Sequence, residues 1–221
     1  MKILCVADEV DPLVYSNSVH DRFGHVDYVL AAGDLPLDYI EFIVSSLNKP
    51  TLFVFGNHNL GDFHLYKKIR FPGPPELNLK KYFAPESSAG AVYVGGKVVN
   101  EDGLLCAGLG GSMRYNSGEN QFSETGMMFE AVKLIPKLLY NKLRYGRYID
   151  VLLTHAPPRG IHDKEDRCHR GFKTFLWFMR TFKPRYLVHG HIHLYDANEN
   201  RETGYVETKV VNAFTHCVIE L

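Results

Sequence analysis

Side chains that could bind metal ions recur in this sequence at one kind of position, directly after a short apolar run. They are Asp8, Asp34, Asn57, His58, His155, His191 and His193. Carboxylate, amide and imidazole groups together suit divalent ions such as manganese, iron and zinc. A carboxylate can bridge two such metal ions. Two metal ions about 3.5–4 Å apart stabilise both the attacking and the leaving oxygen of a phosphoryl displacement. The pattern therefore indicates a metal centre suited to phosphate esters.

The apolar runs before these residues are typical of buried β-strands. They span residues 2–7, 26–32, 51–55, 104–108, 149–153 and 185–188. Near-continuous apolar strands occur in sheets that helices cover on both faces. Functional groups collect beyond the carboxyl ends of such strands, so we expect these side chains to converge at one edge.

Helices are predicted between the strands, over residues 36–47, 124–145 and 171–182. Pro136 interrupts the second of these segments, and we expect it to start a separate helix. Residues 71–88 have the composition of a long surface loop. The tail after Tyr195 predicts β-hairpins with strands at 205–211 and 217–221. Because no linker divides the chain, we predict a single domain over residues 1–221.

Each candidate ligand, taken alone, also has an ordinary structural explanation. Asp8 and Asp34 are of a type common in turns at strand ends. His191 and His193 lie two residues apart, so on a strand both would face one side, although such a pair can arise by chance. Gly190 between the histidines indicates close backbone packing. The ligand types and their repeated placement together favour a metal site over separate structural roles.

Composition excludes several classes of protein. The 221 residues hold 25 Lys and Arg against 25 Asp and Glu, so the net charge of +0 gives no broad attraction to nucleic acid or anionic membrane. No stretch approaches the roughly 20 apolar residues of a membrane helix, and the N-terminal apolar run is too short for a signal peptide. The four cysteines form no Cys-x-x-Cys pair, so we expect reduced thiols and a cytoplasmic location.

Two further groups of residues have alternative interpretations. Arg114 and Arg159 follow strand ends and are predicted to bind substrate, because arginine binds phosphate in a bidentate way; each could equally be an ordinary surface arginine. Asp163, Asp166 and His169 form a polar cluster after His155. That cluster is either a substrate-side or auxiliary metal loop, or a solvated loop that leads into the next helix.

Four short motifs occur in the order found in a known family. They are Gly33-Asp34, Gly56-Asn57-His58, Thr154-His155 and Gly190-His191-Ile192-His193. With Asp8 before them, they resemble the motifs of the calcineurin-like metallophosphoesterases over residues 8–193. Residues 108–116 and 154–163 are similar to a small bacterial and archaeal branch related to class III cyclic-nucleotide phosphodiesterases. The resemblance implies an α+β fold, a four-layer α/β/β/α sandwich of two mixed β-sheets flanked by helices.

The resemblance also implies roles for the candidate residues. Asp34 would bridge two divalent ions, and His58 would stabilise the transition state or protonate the leaving oxygen. Hydroxide bound to metal would attack phosphorus, in phosphodiesters rather than phosphomonoesters. The ions would be Mn, Fe, Zn or Ni, with Mn favoured. The remaining ligands would be Asn57, His155 and His191 for one ion, and Asp8 and His193 for the other.

The sequence departs from the family pattern at Val10, where the usual Asp-x-His motif has its histidine. The site that uses Asp8 and His193 is therefore expected to hold its ion weakly, unless Asp11 or His169 replaces the imidazole. An alternative hypothesis is a binding scaffold with weakened catalysis; the other ligand positions, all filled, favour the enzyme. The expected partner is a small phosphate ester, with nucleic acid only as a substrate and no membrane; the sequence predicts no oligomeric state.

Overall fold

The structure is a computed structural model that describes residues 1–61, 63–66, 90–196 and 199–221. The loop predicted at 71–88 lies outside these residues. The helices are α1 Val19–Phe23, α2 Leu37–Leu47, α3 Phe63–Tyr66, α4 Glu124–Lys133, α5 Ile135–Tyr145 and α6 Lys173–Phe182. The strands are β1 Lys2–Ala7, β2 Tyr28–Ala31, β3 Thr51–Phe53, β4 Ala91–Tyr93, β5 Lys97–Glu101, β6 Leu104–Leu109, β7 Ser112–Met113, β8 Gln121–Phe122, β9 Val151–Thr154, β10 Tyr186–His189, β11 Glu202–Tyr205, β12 Thr208–Asn212 and β13 Thr215–Glu220.

The larger strands form two mixed sheets. The first has the order β13-β1-β2-β3-β4, in which β1 to β4 run parallel and β13 is antiparallel to β1. The second has the order β11-β12-β10-β9-β6-β5, with a parallel centre and antiparallel edge strands. Strands β7 and β8 form a short parallel pair. The predicted architecture of two mixed sheets flanked by helices is confirmed.

Alternate side chains of β1 pack into two different hydrophobic cores, so nearly the whole strand is apolar. Ile3 and Cys5 belong to the core shared with the second sheet, whereas Leu4 and Val6 pack with residues of α1 and α2. Successive side chains of a strand point to opposite faces, so a strand between a helix layer and another sheet is apolar throughout.

The second sheet repeats this arrangement on its other face. Leu187 of β10 packs in a cluster with Phe175 and Phe178 of α6, and its neighbour Val188 faces the first sheet. The order of layers is therefore helices, sheet, sheet, helices. Within the described residues, no helix has the length and apolar character needed to cross a membrane.

The helix boundaries follow from local chemistry. The α4 helix begins after Ser123, whose hydroxyl accepts the backbone N–H of Gly126 at 3.1 Å. Pro136 stands in the first turn of α5, as predicted, because a missing N–H does no harm there. The α2 helix ends at Asn48 in the left-handed conformation.

The predicted hairpins of the tail are partly wrong. The segment predicted at 205–211 is divided by a turn at Val206, which has φ 55°, and the antiparallel hairpin is formed by β11 and β12. The last strand, β13, pairs with β1 in the other sheet, with Cys5 opposite Cys217. Local sequence could not indicate this, since the partner strand lies at the opposite end of the chain.

Candidate metal centre

The predicted convergence of side chains at strand ends is confirmed for the centre of the site. Asp34 follows β2, and His155 follows β9 in the other sheet. His191 lies two residues after the end of β10. Ligand atoms of these three side chains all lie within 4.8 Å of one another. The group therefore lies where the carboxyl ends of both sets of parallel strands meet.

The backbone at this edge adopts a conformation uncommon outside glycine. Asp8 has φ 68°, Asp34 has φ 58° and His191 has φ 68°. Such left-handed residues cost of order 1–3 kcal/mol each and concentrate at functional sites. At each of them the chain turns sharply away from its strand at a candidate ligand.

His155 is completely buried and makes the most informative contacts. Its Nδ1 lies 2.8 Å from the carbonyl oxygen of Ala32 and donates to it. Its Nε2 lies 3.2 Å from both Oδ2 of Asp34 and Oδ1 of Asn57. With Nδ1 protonated, the Nε2 lone pair faces two acceptor oxygens. Only a proton or a cation satisfies all three atoms.

The charge of this group is consistent with a cation site. Burial opposes a charged imidazole, but the carboxylates of Asp34 and Asp8 outweigh it and raise the pKa of His155 to about 9. In the metal-free protein the proton on Nε2 thus occupies the place that an ion would take. Two oxygens and two imidazole nitrogens, contributed by Asp34, Asn57, His155 and His191, form a donor set that fits a divalent transition metal.

Asp34 divides its two oxygens between different partners. Oδ2 faces His155, and Oδ1 accepts the backbone N–H of His58 at 2.7 Å. The side-chain amide of Asn59 donates to the carbonyl oxygen of Asp34 at 2.7 Å. Burial would raise the pKa of Asp34, but the interactions with His155 and His58 hold it below its usual range, so the carboxylate stays ionised.

His191 is oriented as a metal ligand through its second nitrogen. Its Nε2 lies 2.7 Å from the carbonyl oxygen of Cys168, so a donor at Nε2 leaves the lone pair on Nδ1. Burial, together with the charge of His155, lowers the pKa of His191 to about 3. The ring is therefore neutral at physiological pH, as a ligand must be.

Asp8 connects the two sheets beside this group. Its oxygens accept the backbone N–H of His191 at 2.8 and 2.9 Å, and Oδ1 lies 4.0 Å from Nδ1 of His155. Burial raises the pKa of Asp8 to about 6, although the charge of His155 acts to lower it. The predicted close packing at Gly190 is confirmed, because a Cβ atom there would lie 2.7 Å from both Ala7 Cβ and Asp8 Oδ2.

His193 lies apart from the compact group. Its ring stacks on Phe214 with centroids 4.8 Å apart, and its Nδ1 lies 2.7 Å from the hydroxyl of Tyr195. The prediction that His191 and His193 share one face of a strand is wrong, since β10 ends at His189 and His191 is left-handed. His58 is exposed, and its backbone contact with Asp34 places it at the edge of the centre.

The region around Val10 offers one group that the sequence pattern did not indicate. Val10 is 40% exposed, and Asp11, named as a possible replacement ligand, accepts a hydrogen bond from His216 instead. The carboxylate of Glu9, by contrast, lies 3.8 Å from Nδ1 of His193. An exposed glutamate beside valine has no local signal that marks it as a ligand.

The polar loop after His155 has two parts. Asp163 accepts the backbone N–H groups of Gly160 and Gly171 and therefore organises the loop. The carboxylate of Asp166 lies 2.9 Å from Nδ1 of His169. His169, the other possible replacement ligand, therefore already has a partner. Asp166, Cys168 and His169 form a second compact group of possible metal ligands, which is more exposed than the first.

The two predicted substrate arginines lie in different surroundings. Arg159 is held by Asp163 at 2.6 Å and Glu165 at 2.8 Å. Arg114 is exposed and donates to the carbonyl oxygen of Gln121 at 3.2 Å. Both line the same cavity, of about 560 Å³.

Supporting contacts of the ligands were also missed by sequence reasoning. The hydroxyl of Tyr115 lies 3.3 Å from Nδ2 of Asn57, which turns Oδ1 of that amide towards His155. The carbonyl oxygens of Ala32 and Cys168 orient the two imidazoles. Backbone acceptors leave no trace in the sequence, whereas Tyr115 lies in the glycine-rich segment 108–116 and could have been considered.

Comparisons with known proteins identify the fold and the family of the chain. One solved structure aligns with a TM-score of 0.63 at 13% identity and covers 99% of this chain and 94% of its own. The protein TT1561 of Thermus thermophilus aligns with a TM-score of 0.59 at 14% identity, covering 97% of this chain and 89% of its own. At such identities the likeness shows the fold alone. No curated protein matches the sequence. The sequence model of the family described as calcineurin-like phosphoesterase matches residues 1–195, and the chain belongs to that family.

Proposed function

We propose that the protein hydrolyses phosphodiesters with two divalent metal ions, of which manganese is the favoured identity. The observation that carries the proposal is the buried group of Asp34, His155 and His191. Its ligand atoms all lie within 4.8 Å of one another, as they would around a cation. Membership of a phosphoesterase family supports hydrolysis of phosphate esters as the reaction. Free thiols at the four cysteines support the cytoplasm as its location.

In this proposal the first ion would be held by Asp34, Asn57, His155 and His191, and Asp34 would also be a ligand of the second. Asp8 and His193 provide the remaining protein ligands of the second ion, with no imidazole at Val10 to complete the set. Bound divalent ions would lower the pKa of water and neutralise the charge that develops on phosphate oxygens. Because position 10 offers no imidazole, the second ion would be held more weakly than the first.

The chain's own residues set up this chemistry in three ways. Asp34 stays ionised and His191 stays neutral, so both offer lone pairs at physiological pH. His155 and His191 are fixed by backbone carbonyls, so little ordering remains when an ion binds. His58, exposed at the edge of the centre, gives a proton to the leaving oxygen.

The preference for diesters rests on the similarity of residues 108–116 and 154–163 to a branch related to phosphodiesterases. A diester carries one negative charge and needs a proton at its leaving oxygen, which His58 would supply. Phosphomonoesters are the second candidate substrate class on the same residues.

The test is hydrolysis of bis-p-nitrophenyl phosphate and p-nitrophenyl phosphate by the purified protein with added Mn²⁺. We expect faster turnover of the diester and a loss of at least about a hundredfold in kcat for Asp34→Asn. Asp21→Asn is the matched control, because Asp21 is exposed on α1 outside the site. Equal rates for Asp34→Asn and the wild type would contradict the assignment of Asp34.

A binding scaffold with weakened catalysis is the alternative function. The feature that favours it is Val10, which leaves the second ion without an imidazole. The same assay separates the two functions: bound Mn²⁺ with no turnover of either ester by the wild type would favour the scaffold.

A further inference from the structure

A basic cavity is lined by residues that are next in sequence to two contacts of the candidate metal centre. It has a volume of about 560 Å³. The charged residues that line it are Arg114, Glu124, Arg159, Arg167, Arg170 and Lys173. Five of these six side chains are positive, on a chain whose net charge is zero. The cavity therefore concentrates positive charge at one place on the surface.

The negative groups near the cavity are already engaged. Glu124 accepts the backbone N–H groups of Lys173 and Thr174 at 3.1 and 2.7 Å, at the start of α6. Asp163 and Glu165 both pair with Arg159. The two carboxylates more than offset the charge of Arg159, and Glu124 keeps its charge because backbone N–H groups are neutral. The positive charge of the cavity therefore comes from its other four basic side chains.

The other four basic side chains have no such partner among the residues that the structure describes. In the described part of the chain, no carboxylate forms an ion pair with any of them. Within the described ranges, Arg114 and Arg170 donate to backbone carbonyl oxygens, those of Gln121 and Glu165. Like charges gathered around a cavity repel one another, and a bound anion relieves that repulsion. Planar guanidinium groups are suited to phosphate oxygens in particular.

Both walls of the cavity adjoin residues that touch the metal centre. Arg114 precedes Tyr115, whose hydroxyl contacts Asn57 at 3.3 Å. Arg167 precedes Cys168, whose carbonyl oxygen contacts His191 at 2.7 Å. Neighbouring Cα atoms are about 3.8 Å apart, so the backbone at Arg114 and Arg167 lies one residue away from these two contacts.

We propose that this cavity binds a second phosphate group of the substrate, so that the preferred ester carries another phosphate close to the one that is cleaved. The inference rests on the proposed function and narrows its substrate class. Arg167 and Arg114 contact the second phosphate, and the metal centre holds the first. A compound with a single phosphate gains nothing from the cavity.

The test compares two probes by calorimetry on the protein with Mn²⁺ bound, adenosine 5′-monophosphate and adenosine 3′,5′-bisphosphate. We expect the bisphosphate to bind at least about ten times more tightly than the monophosphate to the wild type. In Arg167→Glu this ratio falls towards one, while the affinity for the monophosphate is unchanged. Arg144→Glu, on exposed α5, is the matched charge reversal and keeps the wild-type ratio.

Equal affinity of the wild type for both probes would overturn the inference, as would an unchanged ratio in Arg167→Glu. Titration with inorganic phosphate tests a second source of the anion. A phosphate site that Arg167→Glu abolishes, with no advantage for the bisphosphate, would make the cavity a site for free phosphate and reject the proposal. Turnover of bis-p-nitrophenyl phosphate, measured in parallel, reports on the proposed function separately.

Discussion

The Cα atom of Gly56 lies against the carboxylate of Asp34, so closely that a Cβ atom at position 56 would overlap Oδ1. The same Cβ atom would also lie 2.6 Å from Cε1 of His155. Gly56 is thus the position at which the chain must lack a side chain for Asp34 and His155 to meet.

Gly56→Ala is expected to displace the Asp34 carboxylate. Affinity for Mn²⁺ should fall by at least about tenfold, with a parallel loss of turnover, because the carboxylate no longer faces His155. Electron paramagnetic resonance of free Mn²⁺ measures the affinity, and circular dichroism checks the fold. Gly61→Ala is the control, since a Cβ atom there meets none of the described residues within 4 Å. An alanine variant with wild-type affinity would show that the carboxylate can move without loss.

Tyr115→Phe removes the hydroxyl that contacts the amide of Asn57. Without it, Oδ1 of Asn57 is no longer held towards His155, and metal affinity should fall by about tenfold. Tyr140→Phe, at an exposed position of α5, should leave the affinity unchanged. If both variants bind Mn²⁺ like the wild type, Tyr115 has no part in orienting the amide.

Val10→His restores the imidazole that the first motif lacks. We expect the number of tightly bound Mn²⁺ ions per chain to rise towards two, because the second ion gains a ligand. Equilibrium dialysis with metal analysis measures this number, and spin coupling between neighbouring ions gives an independent signal. Leu13→His, at a nearby exposed position, is the control. Unchanged stoichiometry in Val10→His would mean that position 10 does not face the second ion.

Acid should weaken the fold through Asp11, which lies outside the metal centre. Burial would raise the pKa of Asp11, but hydrogen bonds from His216 and the backbone of Leu13 lower it overall. A lowered folded-state pKa stabilises the fold above the unfolded value of about 3.9, and this contribution disappears as pH falls through the folded value. Asp11→Asn should therefore cost about 1–2 kcal/mol near pH 7. This cost should shrink as pH falls below the unfolded value of about 3.9.

Urea unfolding of the wild type and Asp11→Asn between pH 3 and pH 7 measures this difference. Asp21→Asn, on the exposed surface of α1, should show no such pH dependence. A difference that stays constant over the whole range would contradict the role of the Asp11 charge.

The positions of Asp34 and His155 were predictable because they obey a local rule, a ligand directly after an apolar strand. The orientation of His191 was not, because it depends on a left-handed backbone and on the carbonyl of Cys168. The pairing of β13 with β1 could not be predicted either, since it joins the two ends of the chain. Patterns along the chain therefore indicated which residues matter, and contacts across it determine how they act.

The candidate ligands come from both sheets, Asp8 and Asp34 from the first, His155 and His191 from the second. Neither sheet alone provides a complete set of ligands. Tight binding of the metal should therefore be a late event in folding. An ion bound across the boundary would also fasten the sheets together. At free Mn²⁺ a hundredfold above its dissociation constant, this linkage adds about 2.7 kcal/mol against unfolding, and chelation removes it.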